Sequence, residues 1–369
     1  MSKDPWHFAR PGLAAQYLQV LDVGLSSAKG LFARRRMGKT EFLQQDLVPA
    51  ALTAGYSPVY VNLWEDSEHP GASVVDAIMR TVEPSGLEKL WAKFKRPVNK
   101  LKLSGKAMGF EGTLDVELAQ AREKAASSAL NDVLTQFDKS RKKLLLIIDE
   151  AQVLAQPMHS AFAHSLRASL DTRKARIKVI FAGSSETALR AMFAKPREPF
   201  YNWASVEPFE LLGRDFVEAL VQRANGKSKY PLKVADALAA FTALNNTPEF
   251  FRRYLERHLV NPEEGHAAAV AHTKTHVYAD AGFASQWTAL SSSDQEVLRL
   301  VANGAEDLLG GESRTQVGLE LGLGTPVAAS VIQNSLRRLT QRARVLSRVG
   351  HGEYQFEDEE FMRWIRERG

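Results

Sequence analysis

The sequence predicts an α/β fold, a parallel β-sheet with helices on both faces, followed by helix-rich regions. Three observations carry that reading. Short apolar strands alternate with helical patterns from about residue 30 to about 211. One of them, Leu144–Ile148, is wholly aliphatic, as a strand buried on both faces should be. From about 213 the strands stop and apolar residues recur at helical spacing.

Composition bounds the rest. At about 100–200 residues per domain, 369 residues make two or three domains. Hydrophobic residues at 44% and charged residues at 25% match a globular chain and exclude collagen-like, disordered and disulfide-framed classes. The absence of cysteine excludes zinc fingers, CxxC redox sites and thiol nucleophiles. No aliphatic run is long enough for a membrane span, and MSKDPWHFAR has no apolar signal region, so a cytoplasmic protein is expected. A net charge of +5 permits a nucleic-acid partner without requiring one.

In chain order, residues 1–27 contain a helix over Leu13–Val20, and a strand–loop–helix unit spans 30–54. Ser57–Leu63 is a short strand, rich in β-branched and aromatic residues and preceded by Gly55. Ala72–Val82 and Ala119–Phe137 are helices, the second with Leu130, Val133 and Leu134 at helical spacing. Leu144–Asp149 is a strand, Ser160–Leu170 a helix, Lys178–Gly183 a strand, and Ala204–Leu211 a further strand. The stretch 102–118 alternates like a strand or hairpin returning to the sheet edge.

The sharpest feature is LFARRRMGKTEFL, residues 31–43. A phosphate-binding loop reads G-x-x-x-x-G-K-[ST] between a strand and a helix. Gly38-Lys39-Thr40 fits, with Ala33 at the first glycine position. The loop N–H groups and the following helix N-terminus, over Arg36, Met37, Gly38, Lys39, Thr40 and Glu41, would cradle phosphate oxygens. Lys39 would reach the β- and γ-phosphates and Thr40 would ligate Mg2+. A GKT tripeptide also fits a plain turn, but KKLLLIIDEAQVL, residues 142–154, supplies a second half. A buried strand ending in Asp149 and Glu150 needs a reason, because charge near a core is costly. Asp149 would hold the Mg2+ shell and Glu150 would polarise the attacking water. KVIFAGSSE, residues 178–186, ends a strand in Ser184 and Ser185. Such a serine can face the γ-phosphate or cap the next helix, and both readings can hold at once.

Together ARRRMGKT, LLLIIDEAQ and VIFAGSS resemble the AAA+/STAND P-loop ATPases, most closely the archaeal-type branch related to origin-recognition ATPases. The resemblance covers roughly residues 10–260. It implies a P-loop NTPase (AAA+-like) parallel sheet in the order 5-1-4-3-2, a small helical lid and a C-terminal winged-helix domain. It implies ATP and Mg2+ as cofactors, Lys39 and Thr40 in Walker A, Asp149 and Glu150 in Walker B, and Ser184 as sensor 1. LNNTPEFFRRYLE, residues 244–256, is similar to the family's lid helix, with Arg252 or Arg253 as the γ-phosphate sensor. Arg190 and Arg197 are the arginine-finger candidates, although Trp203 in PFYNWA stands where related sequences carry an arginine.

Two basic features remain. Residues 89–106 hold seven cations and no acid, with Trp91 and Phe94 interleaved. Lys93, Lys95, Arg96 and Lys100 are nucleic-acid candidates there, against a solvated amphipathic helix over Leu87–Phe94. In the last region Ser293–Glu296 reads as a capping box opening a helix, Thr315–Leu321 as a second helix, and Thr325-Pro326 as the start of a third. Val345–Val349 and Glu353–Phe356 read as a two-strand wing. From Gln286 to Gly369 there are ten arginines, no lysine and twelve acids, so the unit is net acidic. Yet Arg337, Arg338, Arg342, Arg344 and Arg348 cluster on the third helix and wing.

The expected organisation is a P-loop core over 1–212 with a basic insert at about 85–118, a helical lid over 213–285, and a winged helix-turn-helix over 286–369. The expected function is an ATP-hydrolysing switch whose nucleotide state controls homo-oligomer assembly and DNA-associated work. The alternative is a slow-turnover signalling ATPase that docks an effector protein through the winged helix. No membrane partner is expected.

Overall fold

The computed structural model describes residues 4–81, 111–280, 282–343, 345–348 and 352–368. By internal packing the chain divides into two compact units, Met1–Ala33 with Lys39–Glu210, and Arg34–Gly38 with Leu211–Gly369. Elements are numbered below among the described residues.

The first unit is the sheet. Its strands are β1 (Ala28–Phe32), β2 (Tyr56–Asn62), β3 (Lys143–Asp149), β4 (Ile177–Gly183) and β5 (Ser205–Pro208), ordered β2-β3-β4-β1-β5. Every neighbouring pair is parallel, and the order is the one the resemblance implies. Helices α1 (Pro11–Asp22), α2 (Lys39–Phe42), α3 (Val48–Thr53), α4 (Pro70–Thr81), α5 (Glu111–Asp138), α6 (Ser160–Asp171) and α7 (Glu186–Ala194) connect the strands. A π turn, Leu43–Leu47, joins α2 to α3.

Period-two alternation splits β3 and β4 between two buried faces. Leu144, Leu146, Ile148, Val179 and Phe181 pack with Val74 and Ile78 of α4, Leu130 and Leu134 of α5, and Phe162 and Leu166 of α6. Leu145, Ile147 and Ile180 are buried on the opposite row. Five consecutive buried aliphatics in β3 explain why that strand is so legible: removing them from water is worth about 1.5–3 kcal/mol for each side chain. α5 begins at Glu111, so the strand or hairpin expected over 102–118 is wrong from 111 onward. Glutamate, leucine, alanine, glutamine and arginine all favour helix, and their run into the next segment outweighs a short alternation. The rest of that segment, and the insert cations Lys93, Lys95, Arg96 and Lys100, lie outside the described residues.

The second unit contains α8 (Arg214–Asn225), α9 (Val234–Ala243), α10 (Pro248–Val260) and α11 (Gly265–Asp280), with Phe216, Phe241 and Phe251 meeting ring to ring. It continues with α12 (Phe283–Thr288), α13 (Ser292–Ala302), α14 (Gly311–Glu320), α15 (Ala329–Gln341) and the antiparallel strands β6 (Leu346–Arg348) and β7 (Tyr354–Phe356). The starts of α13 and α15 differ from expectation. α13 is capped by Ser291, whose hydroxyl accepts from the Asp294 N–H, so the box lies two residues upstream of Ser293–Glu296. α15 starts at Ala329, not at Thr325-Pro326, because Val327 is held by the Arg314 carbonyl in a non-helical approach. A last helix, α16 (Glu359–Arg368), follows the hairpin and buries Phe361, Trp364 and Ile365, an i, i+3, i+4 stripe.

Candidate nucleotide site

The site forms where β1, β3 and β4 end. After Phe32 the chain leaves the sheet, and the Ala33 N–H donates to the Gly183 carbonyl at 3.3 Å. Ala33 is buried and outside the left-handed region, so a methyl group replaces the family glycine without backbone strain. The turn's left-handed positions are Arg36 (φ 66°) and Gly38 (φ 80°). Glycine takes the second at no steric cost, and Lys39 opens the helix immediately after it.

Within the first unit three side chains converge on Asp149, which is fully buried at 0% exposure. Lys39 Nζ donates to Oδ1 at 2.7 Å, Thr40 Oγ1 to Oδ2 at 2.6 Å, and the Tyr60 hydroxyl to Oδ2 at 3.1 Å. Lys39 Nζ also lies 3.6 Å from Glu150 Oε1. Burial pushes the Asp149 carboxyl up, but the Lys39 charge and the hydrogen bonds from Lys39, Thr40 and Tyr60 outweigh it and hold it below the usual carboxylate range. Burial, then the Asp149 charge, pushes the Tyr60 phenol above its ordinary value.

Glu150 follows in the left-handed region at φ 55° and ψ 41°. A non-glycine residue there costs about 1–3 kcal/mol, so the surroundings must hold it. They do so through Oε2, which accepts from Gln152 Nε2 at 2.6 Å, from Ser184 Oγ at 2.7 Å and from the Ser184 N–H at 3.3 Å. Gly183 must be glycine for this to close, since a Cβ there would meet Gln152 Oε1 at 2.6 Å. Ser185 caps α7, its side chain accepting from the Ala188 N–H. Ser185 thus takes the capping role, while Ser184 contacts Glu150.

The donor set fits a magnesium triphosphate. Thr40 Oγ1 and Asp149 Oδ2 are hard oxygens already within 2.6 Å of each other. Among the described residues no cluster of three or more His, Asp or Glu could hold a metal by itself.

The other candidates disperse. In the first unit Glu41 meets His7 Nδ1 at 3.2 Å, while His7 Nε2 meets Asp46 at 2.9 Å, tying the N-terminal segment to the helical stretch after the loop. Arg190 pairs with Glu186 at 2.7 Å, donates to the Val206 carbonyl and lies over the Phe32 ring. Arg197 is exposed. Trp203 is buried against Phe181 and Phe200, so the family's arginine position holds a core aromatic here. In the second unit Met37 is buried, and Arg36 meets Glu249 and Asp358, each at 3.5 Å. Arg253 pairs with Glu249 at 3.0 Å, beside Arg252 on α10. Arg338 forks onto Asp294, the nearest contact 2.6 Å, and so ties α15 to α13. Arg337 donates to Asn334, Arg342 and Arg348 are exposed, and Arg344 lies outside the described residues.

Tyr60 and Gln152 are the site residues that sequence reasoning missed. The signal for Tyr60 was its place two residues before the end of β2, the strand paired with β3 so that Asn62 faces Asp149. The signal for Gln152 was its position inside DEAQ.

No protein-family model and no curated protein matches the sequence. Solved structures do. A Walker-type ATPase of Pyrococcus abyssi superimposes with a TM-score of 0.58 at 16% identity, covering 97% of this chain and 95% of that one. The Aeropyrum pernix ORC2 protein in its ADP form gives a TM-score of 0.54 at 16% identity, covering 97% and 92%. Its ADPNP–ADP complexes give 0.54 at 16% identity, covering 96% and 91%. The chain thus has the fold of the Walker-type and origin-recognition P-loop ATPases along nearly its whole length.

Proposed function

We propose that this chain binds MgATP at the loop ending in Gly38-Lys39-Thr40 and hydrolyses it slowly, as a nucleotide-controlled switch. The observation that carries the reading is the convergence of Lys39, Thr40 and Asp149, with Glu150 and Ser184 beside them. ADP and ADPNP–ADP forms among the structures of like fold support the ligand class.

In this reading Lys39 exchanges its carboxylate partners for the β- and γ-phosphates. Thr40 and Asp149 hold Mg2+, which neutralises charge on the triphosphate. Glu150 orients and deprotonates the attacking water, and Ser184 fixes Glu150. Arg252 or Arg253 serves as γ-phosphate sensor, and Arg197, the exposed finger candidate, acts across a homo-oligomer. Arg190, held by Glu186 and Val206, is the weaker finger candidate.

The output is DNA-associated work, with 286–369 as a winged helix and Arg337, Arg342, Arg344 and Arg348 as its phosphate contacts. One observation favours the second reading, a signalling ATPase docking an effector protein: Arg338, central in the arginine cluster, is consumed by Asp294. The test of the site is calorimetry with Lys39→Ala below its melting transition. ATP affinity falls at least tenfold, about 1.4 kcal/mol, if Lys39 meets the phosphates; unchanged affinity removes the assignment. Light scattering with ADP and with a slowly hydrolysed ATP analogue, with and without DNA, reads the assembly.

A further inference from the structure

The end of the sheet remote from the phosphate loop holds a polar cavity that nucleotide chemistry does not use. It lies within the first unit, beside the N-terminal ends of β1, β3 and β4, and has a volume of about 560 Å³. β3 runs from Lys143 at this cavity to Asp149 at the nucleotide site, so at ~3.3 Å per residue about 20 Å separates the two.

Lys143, Lys174 and Lys178 line the cavity with a single carboxylate, Asp22. Lys143 and Lys174 are half-exposed at its rim, and each has a partner: Asp22 at 3.5 Å and Asp171 at 2.8 Å. Asp22 also accepts the Tyr56 hydroxyl at 2.6 Å. Lys178 is different. It is only 7% exposed, and no ion pair involves it among the described residues. It lies in register with Leu145 and begins a row that continues with Ile180 opposite Ile147, where an aliphatic side chain would cost nothing. An unpaired ammonium there carries a desolvation penalty that needs a compensating anion. Burial holds the Lys178 ammonium below its usual range, with Asp22 opposing and Lys143 adding to the effect. Trp203 forms part of the wall, and its indole N–H has no acceptor among the described residues.

We propose that this cavity binds the phosphate group of a small phosphorylated ligand, with Lys178 as the buried counter-charge and Lys143 and Lys174 closing from the rim. Asp22 and Asp171 answer Lys143 and Lys174, which leaves Lys178 as the ammonium without an ion-pair partner among the described residues to meet an anionic phosphate. Lysine is a compact point charge suited to a terminal phosphate. A duplex backbone lies across a surface and cannot enter a concavity to reach a buried amine. The inference stands independently of the ATP reading.

The test uses the full chain carrying Lys39→Ala with Asp149→Asn, which disables the phosphate loop, with and without Lys178→Met. Calorimetry and thermal unfolding with inorganic phosphate and with pyrophosphate are compared against potassium chloride at matched ionic strength. Saturable binding is expected, weakened about tenfold or more by Lys178→Met. Lys178→Met alone should melt no lower than its parent, since methionine fills the aliphatic row. Should Lys178→Met fold poorly, Lys143→Gln with Lys174→Gln at the exposed rim supplies the same comparison. Equal affinity with and without the lysines overturns the proposal, as does no saturable binding below about 10 mM. A duplex oligonucleotide that binds more tightly per phosphate than pyrophosphate also overturns it, and moves the surface to the nucleic-acid class.

Discussion

Lys39→Ala is expected to destabilise the ligand-free chain as well as weaken nucleotide binding. Lys39 is 5% exposed, and its Nζ lies 2.7 Å from a carboxylate that is 0% exposed. Removing one partner of a buried pair costs about 3–5 kcal/mol, because the charge left behind is uncompensated. Asp149 keeps donors from Thr40, Tyr60 and the Glu150 N–H. Hydrogen bonds to a charged group contribute about 1.5–3 kcal/mol each, so the lower end, about 3 kcal/mol, applies. At about 2–4 °C per kcal/mol for a unit of this size, melting falls by roughly 6–12 °C. Adding Asp149→Asn removes the orphaned charge and restores stability to within about 1 kcal/mol. The pH dependence has a fixed sign. A carboxyl depressed in the folded state contributes stability that is present above the unfolded value near 4 and lost as pH falls through the folded value. The gap between wild type and Lys39→Ala is therefore full at pH 7 and shrinks below about pH 4. Urea unfolding followed by tryptophan fluorescence measures both. A Lys39→Ala chain within about 0.5 kcal/mol of wild type at pH 7, with the same pH profile, refutes the buried pair.

Glu150→Gln should lower ATP turnover by about 10²–10⁴-fold while ATP still binds, and steady-state phosphate release against calorimetric affinity separates the two effects. Gln152→Ala removes one of the donors holding Glu150 Oε2. If that hydrogen bond limits turnover, kcat rises by up to about tenfold, and an unchanged kcat rejects the restraint. Replacing Arg342, Arg344 and Arg348 with alanine should flatten the dependence of log DNA affinity on log salt by about two to three units without altering ATP binding. A protein-docking surface instead gives no DNA affinity in either form at moderate salt.

Sequence made the centre of the sheet legible because β3 and β4 are buried on both faces. Five aliphatics in Leu144–Ile148 can satisfy no other environment, and the residues that end β3 and β4 follow from where those strands stop. The chain's polar boundaries were harder. Ser291 and Ser293 offer equivalent caps by composition, and only the packing of α13 decides between them. α16 went unread because its acidic start, Glu359-Glu360, looks like a solvated run, while the apolar stripe that defines the helix is three residues long. Tyr60 and Gln152 are invisible as chemistry in sequence. Tyr60 matters through a neighbour distant in the chain, Asp149 across the β2–β3 pairing, and Gln152 through the carboxylate of Glu150 that it holds.

If Glu150 is the base of the proposed hydrolysis, the hydrogen bonds around it favour slow turnover. Its Oε2 is saturated by Gln152 and Ser184, and its Oε1 lies 3.6 Å from the Lys39 ammonium. Oε2 so engaged has little capacity left for a water, whereas Oε1 faces the Lys39 charge at a distance too long for a hydrogen bond. In the proposed reading, nucleotide phosphates that drew Lys39 away would remove the charge facing Oε1, while Oε2 would stay anchored by the same serine that follows β4. If Glu150 is the base of the proposed hydrolysis, faster turnover requires a change that frees Glu150 from Gln152 or Ser184.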